Sequence, residues 1–369
     1  MSDADWKPTM QAASALDAER FTMCWGELEY DDPFTAIISY DGSFSQPWRR
    51  TDVQREIVDV AYLEVAGQDR AAPTALSNEG DVYVLLEGGT VDRSKIDGAG
   101  VLSEDATGLG AVHSLAVDGT KQSVVGESRQ LYERDGLRPW RRLSGDKAKR
   151  NGYEAEHFGE VIALADGDLM ITGFERPYSK PGAAGLSAGE WENVTPEDFM
   201  RMMKQQREET STRTRIQKLH RYSGGELTDL SVPEDISIQN LYLDPKGRVW
   251  LTGHAGLIMR GTPQGDFEKM GFHGDDETLF SSAWFAGELI VAADNGPRRF
   301  DGHMLTPMKP LLDPSINPNV PVPLKVQAVA DVLYYFDAKH GVQIRDGSGW
   351  RGIQIPHELL EREFKGFDL

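Results

Sequence analysis

Cysteine is nearly missing. Cys24 stands alone in 369 residues, so neither a disulfide framework nor a thiolate zinc knuckle can form within the chain. Long apolar runs are missing as well, and none approaches the roughly 20 residues of a membrane-spanning helix. The start, Met1 to Trp6, has no basic region and no apolar core, which predicts no secretory leader. Together with the lone thiol, this leads to the expectation of a cytoplasmic protein with no membrane partner. Positive charge is scarce: 39 Lys and Arg face 59 Asp and Glu, for a net charge of −20. Phosphate binding needs a basic patch, so nucleic acid is not expected as a direct ligand.

Catalytic and metal patterns are also wanting. The eight histidines, at 113, 157, 220, 254, 273, 303, 340 and 357, form no His-x-His or His-Glu-x-x-His arrangement. Gly182 to Gly185 lacks the lysine and the strand–loop–helix setting of a phosphate loop. There is no Gly-x-Ser-x-Gly elbow and no Asp-x-Asp-x-Asp calcium spacing. No catalytic residue, cofactor or metal is expected, and the chain is not expected to be an enzyme. A triad assembled from distant segments stays open at this stage. His254 and His340 recur at equivalent turns, beside Gly256 and Gly341, and could share a rim.

Repetition is what the sequence has in abundance. Residues 241–270 read as four short strands: one ending at Asp244-Pro245, then Val249–Thr252, Leu257–Arg260 and Phe267–Met270. Gly, Pro and Asp turns separate them, a pattern of antiparallel strands. The same order of parts recurs at 117–140, 286–305 and 332–350. A late turn followed by an apolar anchor marks the unit. It appears as Asp41-Gly42 before Trp48, Asp135-Gly136 before Trp140, Ser223-Gly224 before Leu227, Asp301-Gly302 before Leu305 and Asp346-Gly347 before Trp350. Taking second strands to centre near Ile38, Val84, Val124, Met170, Leu251, Ile290 and Tyr335 gives steps of 39 to 46 residues, with one step of 81. A period of roughly 40–50 residues with four strands per unit is the spacing of β-propeller blades. The expectation is an all-β chain forming a single propeller of seven four-stranded blades, with six as the alternative count. Blade boundaries fall at about 20–55, 56–108, 109–150, 151–233, 234–273, 274–320 and 321–356, and Trp140, Trp250 and Trp350 should be buried between blades.

These repeats resemble the seven-bladed propellers with degenerate BNR-like and photosystem-assembly-factor-like repeats, over about residues 20 to 355. The resemblance speaks to architecture and little to function, since propellers host enzymes, scaffolds and inhibitors alike. No strict Ser-x-Asp-x-Gly-x-x-Trp box is present; Ser39 to Gly42 has its glycine one place early.

Two stretches are candidates for partner contact. Residues 1–120 hold 8 basic and 22 acidic residues, most of the net charge. Within them Glu27, Glu29, Asp31 and Asp32 interleave with Trp25, Leu28, Tyr30 and Phe34. This reads either as an amphipathic outer strand or as a contact surface in which aromatics supply area and carboxylates meet Lys or Arg. The second stretch is a loop-and-helix insertion at 175–213 in the fourth blade. Its lead-in, Pro177 to Gly189, is rich in Pro, Gly, Ala and Ser, and Trp191 follows. Thr195-Pro196-Glu197-Asp198 carries helix-start chemistry. The apolar face Phe199, Met202 and Met203 would pack on the propeller or meet a partner. A short amphipathic helix is expected at 357–366.

These features lead to the expectation of a non-catalytic, protein-binding propeller. They resemble bacterial immunity proteins that neutralise toxic effectors, including those of type VI secretion, which implies a basic protein partner. The alternatives are a propeller hydrolase or lyase with its site at the mouth, and an assembly-factor scaffold.

Overall fold

The structure is a computed structural model that describes residues 8–27, 33–144, 156–175, 216–233, 235–270, 277–309 and 322–362. Among the described residues, short β-branched and aromatic runs are punctuated by glycine turns and form strands. Seven antiparallel sheets of four strands result. Blade one holds β1 (Thr9–Ala15), β2 (Arg20–Glu27), β3 (Phe34–Asp41) and β4 (Trp48–Val53). Blade two holds β5 (Ile57–Leu63), β6 (Ala72–Ser77), β7 (Asp81–Leu85) and β8 (Val91–Lys95). Blade three holds β9 (Val112–Asp118), β10 (Lys121–Gly126), β11 (Gln130–Asp135) and β12 (Arg141–Arg142). Blade four holds β13 (Glu156–Ala163), β14 (Leu169–Glu175), β15 (Ile216–Ser223) and β16 (Glu226–Leu230). Blade five holds β17 (Ile238–Leu243), β18 (Val249–Gly253), β19 (Ile258–Thr262) and β20 (Gly265–Lys269). Blade six holds β21 (Leu279–Phe285), β22 (Glu288–Ala293), β23 (Gly296–Phe300) and β24 (Leu305–Pro307). Blade seven holds β25 (Pro323–Val329), β26 (Val332–Asp337), β27 (Gly341–Asp346) and β28 (Gly349–Ile353).

First strands of successive blades touch one another around the ring, and β25 touches β1. The protein is therefore an all-β, seven-bladed propeller. The apolar core is divided into clusters between blades; one joins Phe21, Met23 and Trp25 of blade one to Tyr334, Phe336 and Ile344 of blade seven. Each blade is one contiguous segment, so no strand is lent across the seam where the ring closes. Side chains and single backbone contacts hold that seam. Gln327 pairs with the backbone of Ala15 at 2.9 Å in both directions. Tyr334 donates to the Asp17 carbonyl at 2.7 Å, and the Met10 N–H donates to the Ala338 carbonyl at 3.0 Å.

The late turns of the repeat all link a third strand to a fourth, as the Asp-Gly pattern predicts. Three expectations need correction. Blade one starts at Thr9, not near residue 20, so Ile38 lies in a third strand rather than a second; Val84 also lies in a third strand, that of blade two, which starts at Ile57. The predicted helix at 357–366 is a single 3-10 turn, His357–Leu360, with Glu361 already extended; residues beyond 362 lie outside the described residues. Arg50 supplies the reason, because its guanidinium donates to the carbonyls of Leu359, Glu361 and Arg362 that a longer helix would use internally. Of the three tryptophans, Trp250 is buried, at 3% exposure, between blades five and six. Trp140 and Trp350 are only partly buried.

Candidate functional site

In a four-stranded meander, strand ends alternate between the two faces of the ring. Turns from first to second and from third to fourth strands share one face, and there every connection runs two to eight residues. Connections from second to third strands, and from each blade to the next, share the other face. The longest connections of the chain all leave there: 176–215, 96–111, 308–322 and 143–155. Both predicted contact stretches map to this face. Glu27 ends β2, half-buried and opposite Phe34. Glu29, Tyr30, Asp31 and Asp32 follow in the β2–β3 connection and lie outside the described residues. So do Trp191, Phe199, Met202 and Met203, in the β14–β15 connection. The outer-strand reading of this acidic stretch is corrected: β2 lies between β1 and β3, and Trp25 belongs to the core between blades one and seven. Its ring therefore supplies no contact area at the surface.

Sequence reading missed the connection between blades two and three. Glu79 organises it. Its carboxylate accepts the backbone N–H groups of Val101, Leu102 and Ser103 and the Ser103 hydroxyl, at 2.9 to 3.2 Å. Burial works against the charge, but these donors hold the carboxyl below its ordinary range. Lys95 donates to the carbonyls of Glu79 and Ala99, and Gly98 N–H to Asp105 at 3.1 Å. The loop so braced exposes two adjacent apolar side chains, Val101 at 60% and Leu102 at 71%.

The inner strands carry a sevenfold feature that was also missed. Each is bulged at an equivalent place, where one extra residue opposes the second strand: Gln11, Val58, His113, Gly159, Gln239, Phe280 and Leu324. The next residue on each strand is Ala12, Asp59, Ser114, Glu160, Asn240, Ser281 or Lys325. Five of these seven hold an oxygen that accepts the N–H of the following blade. Asp59 takes Leu115 at 2.8 Å, Ser114 takes Val161 at 3.3 Å, and Glu160 takes Leu241. Asn240 takes Ser282 at 2.9 Å, and Ser281 takes Val326 at 2.8 Å. A polar cavity of about 390 Å³ lies inside this girdle. Burial pushes the Asp59 carboxyl up, though Lys325 and the Leu115 N–H oppose the shift. The Glu160 carboxyl is pushed up to about 8, by burial first and against its hydrogen bonds. The signal was present as tetrads of apolar, any, polar, apolar: Ile57-Val58-Asp59-Val60, Val112-His113-Ser114-Leu115, Ile238-Gln239-Asn240-Leu241.

His254 and His340 do not share a rim. His254 is exposed and bonded to Gln239 at 2.8 Å and Thr278 at 3.0 Å. His340, on the same face, has its ring buried against Asp337 at 2.8 Å, so it adds nothing to a rim. His220 is buried between Asp229, at 2.8 Å, and Glu156. Among the described residues no group of His, Cys, Asp or Glu is arranged to hold a metal ion.

No family model matches the sequence, and no curated protein matches it. Solved structures do match, at low identity. One is the extracellular domain assigned to a hybrid two-component system of B. thetaiotaomicron, with TM-score 0.56 and 13% identity over 91% of this chain. This chain spans only 38% of that one. YCF48 from Cyanidioschyzon merolae matches with TM-score 0.54 and 12% identity, over 92% of this chain and 95% of that one. A chain of the mitotic checkpoint complex matches with TM-score 0.54 and 10% identity, over 91% and 84%. At such identities the likeness defines the fold class, a seven-bladed propeller, and nothing finer.

Proposed function

We propose that this is a non-catalytic propeller that binds a protein partner, acting as a docking scaffold through its loop-bearing face. One observation carries the reading: the longest connections all leave a single face, and the described one among them braces Val101 and Leu102 outward in an ordered loop. Exposed apolar side chains on a preorganised loop suit recognition, because little ordering entropy is lost on binding. That a chain of similar fold was solved within the mitotic checkpoint complex supports scaffolding as a use of this architecture. A finer form of the proposal is an immunity protein of the cytoplasm that neutralises a basic toxic effector. It draws on the net charge of −20, which favours fast association with a partner of opposite sign.

The test is affinity capture from the native cell with the wild type and with a Val101→Ser, Leu102→Asp variant. The captured partner is then titrated against both proteins. The reading expects equal melting temperatures and at least about tenfold weaker binding by the variant, about 1.4 kcal/mol. Equal affinity of the two proteins would move the contact away from this loop.

A further inference from the structure

The girdle around the central cavity is broken at two adjoining blades: blade one has Ala12 at the position, and at blade seven the break has a chemical character. Blades two to six place an oxygen acceptor after the bulge, and each acceptor is used to hold the next blade. Blade seven places Lys325 there. An ammonium cannot accept an N–H, and the junction to blade one is made instead by Gln327, two residues on. Lys325 is thereby released from structural duty. It lines the cavity and makes no hydrogen bond or ion pair among the described residues. Its charge is nevertheless felt by both Asp59 and Glu160. On the adjoining inner strand, Gln11 lines the same cavity, and its side-chain N–H group is buried with no acceptor among the described residues.

Two donors with no acceptor among the described residues therefore line the cavity from the two inner strands at the seam of the ring, and carboxyl groups stand elsewhere in the same cavity. A half-buried ammonium and a buried amide that donate to no protein group are costly unless something accepts from them. We propose that the central cavity binds a small α-amino acid, its carboxylate on Lys325 and Gln11 and its ammonium toward Asp59 and Glu160. The cavity of about 390 Å³ lies in the range of small-molecule sites. The carboxylate is the anchor, because the Lys325 ammonium and the Gln11 side-chain N–H are donors the described residues leave unused, whereas Asp59 and Glu160 are already engaged by the neighbouring blades. This site is separate from the loop-bearing docking surface and stands whether or not that surface binds a protein.

Calorimetric titration and thermal shift of the full chain with acetate, glycine and methylammonium test the assignment. Wild-type protein should bind glycine more tightly than acetate and give no response to methylammonium alone. Lys325→Met should weaken both carboxylate probes at least about tenfold, while Lys269→Met, at an exposed position, leaves them unchanged. Gln11→Leu should weaken them less. No heat and no thermal shift with acetate or glycine on the wild type would overturn the proposal without recourse to any variant. So would a folded Lys325→Met protein that binds them as the wild type does, or methylammonium binding that matches glycine.

Discussion

The Asp59 carboxylate of blade two accepts the backbone N–H of Leu115 in blade three at 2.8 Å. A side chain on one inner strand thus completes the hydrogen bonding of the next. The girdle positions blades relative to one another as the core clusters alone do not, because apolar contact is non-directional and a hydrogen bond fixes distance and angle. Truncating Asp59 to Ala should leave the Leu115 N–H unmet and cost about 1–3 kcal/mol. Asp59→Asn keeps an acceptor and should cost less. Chemical denaturation of the two variants gives the comparison, and equal losses would argue against the bond.

Glu160 sets a pH dependence with a definite sign. Its carboxyl is raised from an ordinary 4.5 to about 8 in the folded protein, so the folded state keeps a proton that the unfolded chain releases. Stability from this group is full below about pH 4.5 and falls as pH rises toward 8. Carboxyls held below their ordinary range, such as Glu79 and Asp81, act in the opposite direction and only at lower pH. Glu160→Gln should flatten the decline over that window. Melting temperatures of the two proteins across it provide the measurement, and parallel curves would refute the assignment.

Gly253 passes close to the chain entering its blade. A Cβ there would lie 1.9 Å from the Ser237 carbonyl oxygen, backbone against backbone. Gly253→Ala should destabilise by about 1–3 kcal/mol through overpacking. Gly347, which has nothing within 4 Å of its would-be Cβ, should accept alanine with little change. Urea midpoints for the pair discriminate steric from entropic effects.

Trp250 and Trp350 occupy equivalent-looking repeats in unequal settings. Trp250 is buried and donates to Asp244 at 3.0 Å, so replacement by Ala should cost about 3–5 kcal/mol. Trp350 is partly exposed, at the margin of its cluster, and its loss should cost clearly less. Similar losses for both would contradict the burial difference.

The carboxylates at 27, 29, 31 and 32 give the docking proposal a kinetic test once a partner is in hand. Association should slow as salt rises, because dissolved ions screen such charges from an approaching partner over about 8–10 Å. Reversing Glu29 and Asp31 to Lys should lower the on-rate more than it raises the off-rate. Stopped-flow rates that ignore salt would remove the acidic segment from the encounter.

The period and the late turns were legible in the sequence because Asp-Gly turns and apolar anchors are local chemistry. The phase of the first two blades was not. β1, Thr-Met-Gln-Ala-Ala-Ser-Ala, is poor in the β-branched and aromatic residues that betray a strand, which hides the start of blade one and puts Ile38 one strand out of phase; Val84 is out of phase because β6, Ala-Pro-Thr-Ala-Leu-Ser, is as poor in them. The 3-10 turn at 357–360 was hidden because its competitor, Arg50, lies some 310 positions earlier in the chain. The girdle escaped for another reason. A bulge interrupts the alternation that marks a strand, and its acceptors share a function but not an identity: Asp, Ser, Glu, Asn and Ser. The exposed pair Val101 and Leu102 carries no local sign of exposure, because Glu79, more than twenty positions earlier, turns the loop outward.

Contiguous blades have a consequence for how the molecule is made. During synthesis each blade leaves the ribosome with all four of its strands, so it can fold before the next is translated. Nothing in the first six blades waits for a strand from the far end of the chain. The contacts of blade one with the end of the chain, among them Gln327 and Tyr334 with Ala15 and Asp17, must await the last blade. Until then the nascent protein is an open arc, with one flank of blade one, including Phe21, Met23 and Trp25, still uncovered.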